Sequence, residues 1–191
     1  MKILVLNGSP RRGGVVDTIL ERVLEAAGKK GCTGEKLNVC DLKFRPCTGC
    51  MACRTDGVCR LSRDDAHEAA EKIAEADLLV VGTPTYWGNM SGQLKLLFDR
   101  TVPVFMGESS RGIPQGRQRG KRALIVAACT TPWPFNRLMR QSRGAVGAVR
   151  EVLGTAGYRI RTLQIGGTKR ISSLPERCAL RAERTIRHMI K

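Results

Sequence analysis

Apolar residues along this chain follow two rhythms. Short unbroken runs fill Lys2–Asn7 (KILVLN), 77–82 (DLLVVG) and 121–129 (KRALIVAAC), each bounded by Gly, Pro or polar residues. That pattern belongs to strands covered on both faces of a parallel sheet. Residues 36–42 alternate as a strand does, and Arg159–Ile165 reads as a fifth strand. Between these runs the spacing changes to three and four. Val16, Ile19, Leu20, Val23, Leu24 and Ala27 form one apolar stripe and predict a helix over 15–29. Further helices are expected over 66–76, after an acidic start at Ser62-Arg63-Asp64-Asp65, and over 91–100, 135–156 and 175–190.

Strands alternating with helices predict an α/β fold with helices on both faces of a parallel sheet. Five strands in this order match a flavodoxin-like doubly wound sheet. The expected organisation is one domain over 1–191, with a cysteine-rich loop at about 44–60 and an exposed excursion, rich in Gly, Ser, Pro and Arg, at about 101–120. In such folds ligands bind beyond the carboxyl ends of the strands. The loops after strands one, three and four all fall at that edge.

Composition sharpens this picture in two places. The chain has 191 residues, is 42% hydrophobic and only 4% aromatic, so its core is expected to be built of Val, Leu, Ile and Ala. It carries no signal-peptide pattern and no run of about 20 apolar residues, and so reads as a cytoplasmic chain with no membrane partner. The formal charge of +16 attracts polyanions, phosphate-bearing ligands and acidic proteins. Nucleic acid is not the expected partner, because the basic residues are spread out and no recognition motif accompanies them.

Eight cysteines are present, and four lie within thirteen residues: Cys47, Cys50, Cys53 and Cys59. A Cys-x2-Cys-x2-Cys run with a fourth Cys six positions later is a metal-ligand spacing of the kind that holds iron–sulfur clusters. Gly49 and Gly57 stand where a tightly wrapping chain needs unusual backbone angles. Cys32, Cys40, Cys129 and Cys178 are scattered and read as small apolar residues. His67 and His188 lie on expected helices and read as solvated. No Ser/His/Asp set and no carboxylate pair is evident, so no catalytic side chain is assigned.

The loop after strand one, Asn7-Gly8-Ser9-Pro10-Arg11-Arg12-Gly13-Gly14, is neither a Walker loop nor a Gly-x-Gly-x-x-Gly turn. Its small residues expose backbone N–H groups at a helix start, where a phosphate is stabilised. Ser9 adds a hydroxyl, and Arg11 and Arg12 add charge. Val15-Val16 cannot hydrogen-bond a phosphate, and Asp17 brings negative charge nearby, which leaves Thr18 as the nearest polar side chain. Pro84-Thr85-Tyr86-Trp87-Gly88-Asn89 after strand three offers flat apolar contact with backbone donors. Thr130 and Thr131 after strand four add hydroxyls at the same edge.

Taken together, Asn-Gly-Ser-Pro-Arg after strand one, the run from Cys47 to Cys59, Gly82 to Met90 (GTPTYWGNM) and Lys95 to Arg100 (KLLFDR) resemble the NADPH-dependent FMN reductases. Within that superfamily the cysteine run is similar to the iron–sulfur flavoproteins. The resemblance implies FMN, with Ser9, Arg11 and Gly14 near its phosphate, and residues Pro84, Thr85, Tyr86, Trp87, Gly88 and Asn89 against its ring. It further implies a 4Fe–4S cluster on Cys47, Cys50, Cys53 and Cys59, ferredoxin as an acidic donor, and a homodimer or homotetramer. Two alternatives stand beside it. One is a cluster-free NAD(P)H-dependent reductase of flavin, quinones or other small-molecule acceptors. The other is a zinc-stapled nucleic-acid-binding protein.

Overall fold

The computed structural model describes residues 1–170 and 174–190. Its centre is a five-stranded, all-parallel sheet of β1 (Lys2–Asn7), β2 (Thr33–Asn38), β3 (Leu78–Pro84), β6 (Arg122–Ala128) and β7 (Arg159–Ile165). Their order across the sheet is β2-β1-β3-β6-β7. The two strands between, β4 (Met106–Glu108) and β5 (Pro114–Gly116), form a separate antiparallel hairpin. The strand order reverses direction at β1 and β3, the place where doubly wound sheets open a crevice.

β1, β3 and β6 are buried almost throughout, as their unbroken apolar runs require. One face of the sheet is covered by α1 (Val15–Gly28) and α8 (Glu176–Ile190), which bury Ile19, Leu20, Val23, Ala182 and Ile186 against Val5, Val80 and Val126. The other is covered by α3 (Asp65–Glu75), α4 (Gly92–Arg100) and α7 (Gln141–Thr155), which bury Ile73, Leu94, Leu97 and Leu153 against Leu6, Val81 and Ile125. Both layers are aliphatic, as the composition implies. Among the described residues no helix is long and apolar enough to cross a membrane.

Four expectations need correction. The second strand is Thr33–Asn38, not 36–42, because it pairs in parallel with β1 from Lys2↔Thr33 to Asn7↔Asn38 and the ladder ends where β1 ends. A 3-10 turn, Val39–Asp41, follows and turns Val39 into the core. The helix expected over 135–156 is two helices, α6 (Phe135–Leu138) and α7, separated by Arg140 at φ 55°. There the 86–89 turn packs against the start of α7 so closely that a Cβ at Gly144 would lie 2.0 Å from the Gly88 carbonyl oxygen. The stretch 101–120 holds α5 (Val102–Phe105) and the hairpin. Its middle, 110–115, is exposed, but Thr101, Phe105 and Gln118 are buried. Phe105 meets Phe98 edge-to-face with ring centroids 5.5 Å apart. His67, read as solvated, has its ring mostly buried at the start of α3, where it completes a capping box with Asp64.

Candidate functional site

At the carboxyl edge of the sheet a chain of backbone hydrogen bonds ties the loops together. Gly8 N–H donates to Gly82 O, Thr85 N–H to Ala128 O, and Cys129 N–H to Ile165 O, each at 2.8 Å. Above this edge lies an open cleft of about 620 Å³, within the roughly 300–1,000 Å³ usual for cofactor sites. It brings together Ser9, Arg11, Gly13, Gly14 and Thr18 from the first loop and helix, Pro84, Thr85 and Tyr86 from the third, and Thr130 from the fourth. These residues come from loops far apart in sequence that meet only because β1, β3 and β6 are neighbours.

The phosphate-type end is the start of α1. Gly14 is its N-cap and supplies no side-chain cap, so the first N–H groups of the helix face outward with the positive end of the helix dipole. Ser9 shapes the loop before it: its Oγ accepts from Arg11 N–H at 3.2 Å, and its own N–H donates to Asn7 Oδ1 at 3.0 Å. Val15 and Val16 line the wall of the cleft and give it apolar contact rather than hydrogen bonds.

Asp17, which stood as a negative charge beside the phosphate loop, points away from it into the protein. Its carboxylate accepts from Asn7 Nδ2 at 2.9 Å, Gly13 N–H at 2.8 Å and Lys36 Nζ at 2.9 Å. Burial pushes its pKa up, but the bonds from Lys36 and Gly13 outweigh that and hold it below the usual carboxylate range. The charge is thereby neutralised by Lys36 and used to anchor Gly13.

At the opposite wall Thr85 Oγ1 is buried with no hydrogen-bond partner among the described residues. An idle hydroxyl beside a cleft is a ready polar contact for a ligand. Tyr86 and Asn89 close a two-residue turn through reciprocal backbone bonds of 3.0 and 2.9 Å. Trp87 at φ 52° and Gly88 at φ 71° form its tip.

Five expected residues lie outside the cleft lining. Arg12 turns to Asp41 and pairs with it. Trp87 is 103% exposed and projects into solvent. Gly88 and Asn89 complete the turn, and Thr131 O accepts from Gly167 N–H at 2.8 Å. Sequence reasoning missed Thr168, Lys169 and Leu174, which also line the cleft. Thr168 and Lys169 follow β7, whose end lies at the same edge, so the rule that found the other three loops covers this one too.

The cysteine run is a loop outside the sheet around the short helix α2 (Ala52–Asp56). Its tight course uses left-handed backbone at Gly49 (φ 70°), Met51 (φ 61°) and Gly57 (φ 74°), so both glycines stand where that conformation is needed. Cys47 and Cys50 are exposed, while Cys53 and Cys59 are half-buried. Burial pushes the Cys53 thiol up, and Cys47, Cys59 and Cys50 push it the same way. Their donor chemistry suits a four-thiolate centre, although among the described residues no three Cys, His, Asp or Glu side chains are gathered as metal ligands. Of the other cysteines, Cys129 is buried and Cys32, Cys40 and Cys178 are half-buried.

Beside the cleft, the exposed surface is unusually apolar. Trp133, Phe135, Leu138 and Met139 are all more than half exposed, and they lie on the segment leading to Arg140 and α7, against which the Trp87 turn packs.

Residues 1–156 match the model of the NADPH-dependent FMN reductase family. An iron-sulfur flavoprotein of Methanocaldococcus jannaschii is 36% identical over 107 residues, covering 56% of this chain and 55% of that protein. A second from the same organism is 34% identical over 156 residues, 78% of each. The chain spans about half the length of several such curated relatives. Among solved structures, the NAD(P)H:quinone oxidoreductase of Methanothermobacter marburgensis superposes with a TM-score of 0.78 at 19% identity, covering 100% of this chain and 96% of that one.

Proposed function

The chain belongs to the NADPH-dependent FMN reductase family, and on that premise we propose that it is a flavin oxidoreductase linking bound FMN to a 4Fe–4S cluster. The observation that carries the flavin half is the convergence of an uncapped helix start, Ser9, Arg11, Thr85, Tyr86 and Thr130 on one cleft. In this reading the first N–H groups of α1, with Ser9 and Arg11, hold the FMN phosphate, and Asp17 and Lys36 keep Gly13 in place beneath it. Pro84, Thr85 and Tyr86 lie against the ring, with Thr85 Oγ1 as a polar contact to it. Flavin exchanges electrons singly or in pairs, which is why it suits a junction between a nicotinamide and a cluster.

The four cysteines are the cluster ligands in this reading, supported by their spacing and by the iron-sulfur flavoproteins among the relatives. An acidic electron-transfer protein is the donor the +16 charge would steer in. A second copy of the chain is the proposed cover for the exposed apolar residues Trp87, Trp133, Phe135, Leu138 and Met139.

A second reading stays with what the family model names, FMN and a nicotinamide donor without a cluster: a cluster-free NAD(P)H-dependent reductase of quinones. Anaerobic purification with an absorption spectrum and assays for FMN, iron and sulfide separates the two. Brown protein with one FMN and four irons per chain is expected. Yellow protein that takes up no iron or sulfide on reconstitution leaves the cluster-free reductase, and colourless protein overturns both readings.

A further inference from the structure

Arg100, the last residue of α4, is only 3% exposed. Its Nη1 and Nη2 donate to Asp64 Oδ2 and Oδ1 at 2.8 and 2.9 Å, a two-pronged pair. Nη1 also donates to the carbonyl oxygen of Arg45, two residues before the first cysteine of the run. Asp64 is the N-cap of α3, five residues after the last cysteine, and accepts from Ala66 N–H at 3.2 Å and Arg45 N–H at 3.3 Å. His67 Nε2 lies 3.3 Å from the carbonyl oxygen of Cys59. The entry and the exit of the cysteine loop are therefore drawn onto one buried guanidinium.

One donor of that guanidinium is idle. Arg100 Nε is buried without a hydrogen-bond partner among the described residues. A candidate ligand is close by: Cys59 lines the same cavity of about 410 Å³ as Arg100, together with His67 and Gln118. Buried polar groups rarely go unused, and this N–H shares a cavity with a candidate ligand sulfur. Hydrogen bonds to ligand sulfurs are among the levers that set the potential of an iron–sulfur centre.

We infer that Arg100 is the positioning residue of the cysteine loop: it clasps the loop's two ends, and its idle Nε–H is the donor available to the Cys59 sulfur. The clasp stands without any bound group, because its partners are side chains and backbone of this chain. The hydrogen bond to sulfur rests on the cluster reading given above, and it makes the cluster easier to reduce by offsetting negative charge on Cys59.

The test has two arms. In cluster-free protein, trypsin reports on the clasp through Arg54 and Arg60, which lie inside the loop. Arg100→Met combined with Asp64→Ser removes both charges and keeps an N-cap for α3. It should raise cleavage at these sites at least tenfold while thermal unfolding shows the domain still folded. Should that pair not fold, Arg100→Lys carries this arm with an expected rise of at least threefold. Cleavage within twofold of the parent in a folded variant overturns the clasp. In the second arm, parent and Arg100→Lys are reconstituted anaerobically with iron and sulfide and titrated by electron paramagnetic resonance. Lys keeps the charge but lacks the Nε–H, so its midpoint potential should be more negative. An unchanged potential overturns the bond to Cys59. If the parent takes up no iron, the cluster reading and the second arm fail together, while the cleavage arm still decides the clasp.

Discussion

The cleft and the cysteine loop are both made of loop residues, yet they are held in opposite ways. The cleft's walls begin at the last residues of β1, β3 and β6, and backbone bonds run from strand to strand just beneath them. Its shape is inherited from a stiff sheet. The loop leaves the sheet, turns three times through left-handed backbone, and is tied back at its ends. Among the described residues its four thiols are not gathered as ligands. A cleft on strand ends is formed before its ligand arrives; under the proposed cluster reading the loop would complete its site only when the ligand draws the sulfurs together, as metal sites coupled to local folding do.

The sharpest way to break this comparison is to cut one ligand from the loop. Each of Cys47→Ser, Cys50→Ser, Cys53→Ser and Cys59→Ser should abolish iron uptake while leaving FMN content unchanged. Cys32, Cys40, Cys129 and Cys178 should each tolerate Ser with iron retained. Loss of FMN together with iron would mean that the two regions form one unit.

The converse cut is Arg11→Ala in the cleft. Loss of a charge-assisted bond to phosphate should cost roughly 1.5–3 kcal/mol of FMN affinity, read by fluorescence titration, with iron content unaltered. Riboflavin, lacking the phosphate, should bind far more weakly than FMN to the parent and should be indifferent to the substitution. Equal affinity for the two flavins would remove the phosphate from the picture of the cleft.

Acid should loosen the loop through Asp64. Burial raises the pKa of Asp64, but Arg100, the Arg45 N–H and His67 together bring it down from 3.8 to about 2. The folded state thus favours the charged form. That contribution, on the order of 2 kcal/mol, is complete above about pH 4 and is lost as the pH falls from 4 towards 2. Urea unfolding of the parent should show this drop, and Asp64→Asn should flatten it. A curve of the same slope in both would place the acid sensitivity elsewhere.

The smallest effect concerns delivery rather than either site. Reduction by an acidic protein donor should slow several-fold as salt is raised, because screening shortens to about 8 Å at physiological ionic strength. A neutral dye should be unaffected. Equal responses would give the +16 charge another use.

Much of this architecture was readable before any coordinates. Unbroken apolar runs marked the central strands, and the rule that ligands gather at strand carboxyl ends selected Ser9, Thr85, Tyr86 and Thr130. The misses share a cause: each depends on a feature that local apolar periodicity does not carry. Arg140 carries none of the Gly or Asn signal that marks a helix end, and the break there follows from the 86–89 turn packing on α7. Phe105 sits in a Gly- and Pro-rich stretch with no periodicity to announce that it is buried. His67 looked like any polar helical residue until Asp64 and Cys59 were seen on either side of its ring. Trp87, expected against the ring, stands at the tip of the 86–89 turn, and that position aims it outward.

That outward aim gives the chain a built-in gauge. Its two tryptophans, Trp87 and Trp133, are 103% and 73% exposed, and each follows a cleft-lining residue closely in the chain, Tyr86 and Thr130. No indole lies in the core. Intrinsic emission should therefore be red-shifted already in the native protein and change little in wavelength as the sheet unfolds. It should shift to the blue when something apolar covers the rim, and dim when a flavin close by accepts the excitation. One fluorimeter trace thus follows assembly and cofactor loading while remaining nearly blind to the melting of the domain itself.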